Sequence, residues 1–202
     1  MTFDYNYYER GISSGKSLYE NYRWIPELTI PLAHHFIQIM NIKNSDTVLD
    51  FGCAKGYLVK AMCLLDVNAY GYDVSEYAIS KAPVEIKDKI TNKLSGYYNH
   101  IIAKDVLEHV EESDLNSLLK TFHIMTQKIC IIVPLSEDQI RYNIEANELD
   151  KTHLIRRPLE WWTEQIKNAG FNIETSTHEV GVFKKGQEKI HPLGNGLIIG
   201  SI

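Results

Sequence analysis

The chain has 202 residues, which suits one domain with small additions, and its 44% hydrophobic and 23% charged content is that of a globular protein able to bury a full core. A net charge of −5 with no run of Lys or Arg argues against an extended nucleic-acid surface or an anionic-membrane surface. The three cysteines, Cys53, Cys63 and Cys130, lack C-x-x-C spacing and leave an odd thiol, which offers no zinc knuckle and suits a reducing compartment.

The opening MTFDYNYYER lacks the basic-then-apolar pattern of a signal peptide. No apolar run approaches the roughly eighteen residues of a membrane span, so a cytoplasmic protein is expected. Tyr5, Tyr7, Tyr8, Tyr19, Tyr22 and Trp24 make the first stretch dense in aromatic rings, broken by Gly11, Ser13, Ser14 and Gly15. We read residues 1–30 as an arm, either packing on one edge of the domain or serving as a lid, and residues 31–202 as the domain itself. Pro31 is expected to open a helix with Leu32, Phe36, Ile37 and Met40 on its inner face.

The informative stretch is Thr47 to Tyr57. Val48, Leu49 and Phe51 read as a buried strand that ends in Asp50, Gly52 and Gly56. Leu58, Ala61, Met62 and Leu65 then share one helical face. Strand, glycine turn and helix make the first half of a nucleotide-binding βαβ unit, where the backbone must bend sharply and let a ligand approach. A pyrophosphate fingerprint is G-x-G-x-x-G. Here an acid precedes the first glycine, which repels a phosphate and favours a ligand carrying an ammonium or sulfonium. Asp73 follows at the end of the next apolar segment, Ala69 to Tyr72, placed to accept hydrogen bonds from ribose hydroxyls.

VLDFGCAKG followed by YGYDVSEYAI resembles motif I and the acidic second motif of the class I S-adenosylmethionine-dependent methyltransferases. The departure is Ala54 in place of the family's middle glycine, a change that suits a position not needing φ > 0. The resemblance implies a Rossmann-like, doubly wound α/β domain with a mostly parallel seven-stranded sheet and an antiparallel terminal strand. It implies S-adenosylmethionine as cofactor, bound by Asp50, Gly52, Ala54, Gly56, Asp73 and Val74, with help from Lys104 and Asp105. It also implies a third strand ending near the adenine. Val84-Glu85-Ile86 is the short candidate for that strand, with Thr91 or Asn92 facing the base.

Further along, Ser75 reads as the N-cap of a short helix through Ile79. Asn99 to Lys104 reads as the fourth strand, and Ser113 as the cap of a helix with Leu115, Leu118, Leu119 and Phe122 in a stripe. Ile129 to Pro134 is apolar without alternation, as a central strand covered on both faces should be. Pro158 starts another helix, with Trp162, Ile166 and Ala169 inward and Gly170 as its stop; Phe171–Val182 and Leu197–Ile202 are the last strands. The polar stretch from Leu135 to Arg156 is expected to be a substrate-facing cover.

Methyl transfer to a hydroxyl or a protonated amine needs a base beside the acceptor. Asp105, Glu108 and His109 are the candidates, because a turned backbone brings i, i+3 and i+4 together. No metal is assigned. Asp105-x-x-Glu108-His109 nevertheless resembles the metal-binding segment of ubiquinone-pathway O-methyltransferases and small-RNA 2′-O-methyltransferases, which implies an alternative, metal-assisted reaction using His153 as the distant ligand. The acceptor expected is a small molecule, with no nucleic acid and no membrane as partner. An NAD-type oxidoreductase and a non-catalytic S-adenosylmethionine-binding module are the readings from other classes.

Overall fold

The computed structural model describes residues 3–184 and 186–202, so the first two positions of the expected arm lie outside the described residues. Among the described residues there are seven strands: β1 (Thr47–Phe51), β2 (Asn68–Tyr72), β3 (Ile90–Thr91), β4 (Tyr98–Lys104), β5 (Thr126–Pro134), β6 (Asn172–Thr177) and β7 (Asn195–Ser201). They form one sheet of order β3-β2-β1-β4-β5-β7-β6. β1 is parallel to β2 and β4, and β2 is parallel to β3. β7, the last strand of the chain, is antiparallel to both β5 and β6. This is the α/β sheet that the sequence implies. The contacts divide the chain into two compact units, Met1–Ile102 and Ala103–Ile202.

In the first unit the arm contains two short helices, α1 (Tyr5–Glu9), capped by the Asp4 carboxylate, and α2 (Gly11–Ser14). The helix expected from Pro31 is longer: α3 spans Pro26–Met40. Pro26 is its first residue, where a missing N–H costs nothing, whereas Pro31 lies past the first turn and forfeits a backbone bond. Its buried face is Ala33, Phe36 and Met40. The division drawn at residue 30 therefore falls within a helix. α3 packs against α4 (Tyr57–Leu64), which buries Leu58, Val59, Ala61 and Met62. Ser75 caps α5 (Glu76–Ser80) as expected, its hydroxyl accepting the Ala78 N–H at 3.0 Å. The third strand is displaced: Val84–Lys89 is a 3-10 turn, and β3 is only Ile90–Thr91. Pro83 directs the chain into that turn, and Ile86 is buried from it rather than from a strand.

The second unit is built on β5, whose residues Ile129 to Val133 are all buried. α6 (Glu112–Met125) starts one residue before the cap expected at Ser113, with Glu111 as its N-cap, and turns Leu115, Leu119 and Phe122 inward. α7 (Leu159–Asn168) follows Pro158, which serves as its N-cap rather than its first residue, and buries Trp162 and Ile166. The chain reverses at Gly170, whose φ of 108° favours glycine. β6 ends at Thr177, well short of Val182, because the chain bends into a 3-10 turn at Gly181–Lys184; α8 (Gln187–Ile190) precedes β7. Among the described residues no helix is long and apolar enough to cross a membrane.

At Gly71 in β2 the sheet presses close against the glycine turn. A Cβ there would sit 2.6 Å from Cys53 Sγ and 3.1 Å from Val59 Cγ2. Gly71→Ala should therefore cost about 1–3 kcal/mol of overpacking, read as a lowered midpoint in urea denaturation. An unchanged midpoint would contradict this packing.

Candidate active site

In the first unit the turn after β1 is held from beneath by β2. The N–H groups of Gly52 and Cys53 both donate to the Tyr72 carbonyl, at 2.8 and 3.0 Å. Gly52 and Gly56 take φ values of 80° and 76°, conformations glycine adopts without strain. A Cβ on Gly56 would also stand 2.0 Å from Ile90 Cδ1. Ala54 takes φ 49°. Position 54 thus does need the left-handed conformation, and the alanine bears its cost, roughly 1–2 kcal/mol.

Asp73 organises this turn. One of its oxygens accepts the Ala54 N–H at 2.7 Å and the other accepts the Ser75 N–H at 2.7 Å. Burial raises the Asp73 pKa, against the opposing pull of those amides. Asp50 is likewise buried, within β1. Val74, beside Asp73, is exposed. Cys53 is buried beside both acids, which with desolvation push its thiol up and make it a neutral spacer.

The arm packs on this turn. Tyr7 and Tyr8 form a buried cluster with Ala78, against which Phe3, Tyr19, Tyr22, Ala54 and Tyr77 pack. Lys55 Nζ is buried and bonds Glu9 Oε1 and the Tyr22 carbonyl, each at 2.5 Å; the Tyr77 hydroxyl donates to the same Glu9 oxygen at 2.9 Å. Burial is the main reason the Tyr8 and Tyr22 hydroxyls are held protonated, with the charges of Asp73 and Asp50 respectively adding to it. Lys55 was not singled out in the sequence. Its partners lie 46 and 33 residues away in sequence, so no local pattern marks it.

In the second unit β4 ends in Lys104 and Asp105. Asp105 takes φ 55° and donates its N–H to the Ile132 carbonyl at 2.9 Å. Its carboxylate contacts Lys104 Nζ and lies 2.7 and 2.8 Å from Lys184 Nζ. Despite burial, the two ammonium groups hold Asp105 well below the usual carboxylate range. Lys184, distant in sequence and in a stretch with no motif, was not foreseen.

Leu107–His109 is a 3-10 turn that places Glu108 and His109 side by side. Glu108 is 1% exposed, and among the described residues its Oε2 has no hydrogen-bond partner. Burial and the Asp105 charge push its pKa up to about 8. His109 is pulled the other way, down to about 4, by burial and by His153. At neutral pH the proton sits on Glu108 and the imidazole is neutral. The backbone carbonyl of Glu108 accepts the N–H groups of Leu154 and Ile155, at 2.7 and 3.1 Å, so the polar stretch is fastened to this turn. It brings His153 to 4.7 Å from His109, ring centre to ring centre, and His153 Nε2 to 3.9 Å from Glu108 Oε1. Glu108, His109 and His153 each present a ligand-type atom within 4.8 Å of the others, one carboxylate with two imidazoles. Asp105, occupied by two lysines, is not among the three.

A family described as "Methyltransferase domain" matches residues 25–176. No curated protein matches. Among solved structures, a SAM-dependent methyltransferase from Archaeoglobus fulgidus is 19% identical, with 88% of this chain and 95% of that one covered and a TM-score of 0.62. A glycopeptide N-methyltransferase complexed with sinefungin is 12% identical, covering 93% and 91%, with a TM-score of 0.64. Magnesium protoporphyrin IX methyltransferase from Synechocystis, with bound SAM, is 14% identical, covering 87% and 78%, with a TM-score of 0.59. At these identities the likeness concerns the fold, and it is the family match over most of the chain that carries the assignment. The chain belongs to the methyltransferase-domain family, and is a class I S-adenosylmethionine-dependent methyltransferase.

Proposed function

We propose that the protein methylates a small-molecule acceptor at oxygen or nitrogen, with Glu108 and His109 beside the acceptor. The observation that carries this reading is the pairing of buried Glu108 with half-buried His109, one group holding its proton to about pH 8 and the other neutral. Bound S-adenosylmethionine supplies an activated methyl group for in-line displacement. Asp50, Gly52, Ala54, Gly56, Asp73 and Val74, with Lys104 and Asp105, are the residues proposed to hold it, and the arm of residues 1–30 is its lid. The ionised form of Glu108 has the proton affinity suited to an O–H or an N–H⁺ near neutrality. Neutral His109 orients the acceptor through a hydrogen bond. Asp105, kept ionised by its lysines, acts through its field: its charge is what raises Glu108 beyond the effect of burial. The net negative charge of the chain and the absence of a basic run support a small acceptor over a nucleic acid.

The mutual reach of Glu108, His109 and His153 supports a second reading, metal-assisted O-methylation. An unpartnered, fully buried carboxylate oxygen fits a cation, and those three residues would hold it.

The test is transfer of radiolabelled methyl from S-adenosylmethionine to a panel of hydroxyl- and amine-bearing small molecules. Wild-type transfer should rise with pH towards about 8 as Glu108 ionises. Glu108→Gln, a mimic of the protonated form, should lose that limb and at least about tenfold in rate. The stability of the fold provides a control. A carboxyl raised in the folded state stabilises fully below its ordinary pKa, and that contribution is lost as pH rises through the folded value. Wild type should therefore lose stability relative to Glu108→Gln between about pH 5 and pH 8. Full activity in Glu108→Gln at every pH would contradict the role of this group. For the second reading, dialysis against a chelator should abolish transfer and Mg²⁺, Mn²⁺ or Zn²⁺ should restore it; transfer undiminished by chelation excludes the ion.

A further inference from the structure

The polar stretch after β5 does more than cover the turn. Within it, Thr152 and Asp150 are both buried, at 8% and 4% exposure. Asp150 Oδ1 accepts the Thr152 backbone N–H at 2.9 Å and the Thr152 hydroxyl at 2.6 Å. The same hydroxyl oxygen lies 2.7 Å from His109 Nδ1. A threonine hydroxyl has one proton to give and lone pairs with which to accept. With that proton committed to Asp150, the contact to His109 is satisfied only if Nδ1 carries the hydrogen and donates it to Thr152 Oγ1. A neutral imidazole protonated at Nδ1 has its lone pair on Nε2.

We propose that Thr152, backed by Asp150, is a positioning residue that fixes the His109 imidazole as its Nδ1–H tautomer and so makes Nε2 the nitrogen presented for acceptor binding. This rests on the proposed function for its purpose, since Nε2 is then the atom that meets the acceptor or, in the second reading, the ion. It does not rest on that function for its geometry. The placement of Thr152 depends on the anchoring of the next residues: Leu154 and Ile155 bond the Glu108 carbonyl, and the Tyr142 hydroxyl donates to the Ile155 carbonyl at 2.7 Å. Arg156 closes the segment, with Nη2 2.9 Å from Glu148 Oε2 and its guanidinium stacked 5.0 Å from the Tyr142 ring centre. A loop tied down at these points can hold a hydroxyl to the tolerance that a tautomer lock requires.

The test is a long-range ¹H–¹⁵N correlation spectrum of the ¹⁵N-labelled full chain near neutral pH, with the His109 signals identified by their loss in His109→Gln. Wild type should show Nδ1 protonated and Nε2 bare. Thr152→Ser, which keeps the hydroxyl, should show the same pattern. Thr152→Val, which keeps the shape and the backbone bond to His109 but removes the hydroxyl, should raise the Nε2–H fraction of His109 while the His100 signals stay in place. An Nε2–H tautomer at His109 in the wild type would overturn the proposal, and so would an unaltered pattern in folded Thr152→Val. The spectrum needs neither cofactor nor acceptor, so its outcome is separate from the function. If the tautomer is as stated but His109→Gln transfers methyl at the wild-type rate, the proposed function fails and the lock stands.

Discussion

A carboxylate taken out of water costs several kcal/mol unless hydrogen bonds or opposite charge meet it, and this structure is arranged around acids buried where strands end. It meets that cost in three ways. Asp73 is met by backbone amides: the N–H groups of Ala54 and Ser75 fold the glycine turn and the start of α5 onto one side chain. Asp105 is met by charge, with Lys104 and Lys184 on its oxygens. Glu108 is met too weakly, by a backbone N–H and the lysine charges, to offset its burial and the Asp105 charge, and it keeps its proton instead. The differing reactivity of the three acids follows from how each is compensated. An acid tied to amides shapes the glycine turn, one clamped by lysines stays ionised, and the most deeply buried one holds its proton.

The same logic governs the arm. Lys55, between Gly52 and Gly56, is a buried ammonium, and the arm supplies its partners, the Glu9 carboxylate and the Tyr22 carbonyl. The aromatic packing of Tyr7, Tyr8 and their neighbours around Ala54 and Ala78 gives the apolar cover, and the Lys55–Glu9–Tyr77 network gives the register. An arm held only by stacked rings would slide. One held by a buried ion pair as well has a defined place over the glycine turn.

What could be read from the chain divides along physical lines. The turn at Gly52 to Gly56, the acid at Asp73, the cap at Ser75 and the buried run of Ile129 to Val133 were legible because each is a local consequence of residue type at fixed spacing. The neighbourhood of Asp105, Glu108 and His109 was legible for the same reason, since a turn brings i, i+3 and i+4 together. What lay beyond reach was set by distant contacts. Nothing near Lys184 announces that it will meet Asp105, and nothing in Asp150-Lys151-Thr152 announces a bond to His109. The helices start ahead of the residues that local signals favour, at Pro26 rather than Pro31 and at Glu112 rather than after Ser113, because a second proline and a run of acids also suit a first turn. The third strand went astray because a 3-10 turn and a two-residue strand carry too few residues to show a period. Ala54 is the case where local reasoning misled. An alanine argues against positive φ, yet the bond from its N–H to Asp73 holds it there.

The glycine turn and Asp73 are proposed to hold a sulfonium nucleoside. The most direct measurement is isothermal titration calorimetry with S-adenosylmethionine and S-adenosylhomocysteine, NADH as control, and Asp73→Ala checked for folding by its thermal melt. The account predicts that both sulfur ligands bind, that NADH does not, and that the variant weakens binding by at least about tenfold, about 1.4 kcal/mol. Binding of NADH with no binding of either sulfur ligand would contradict it.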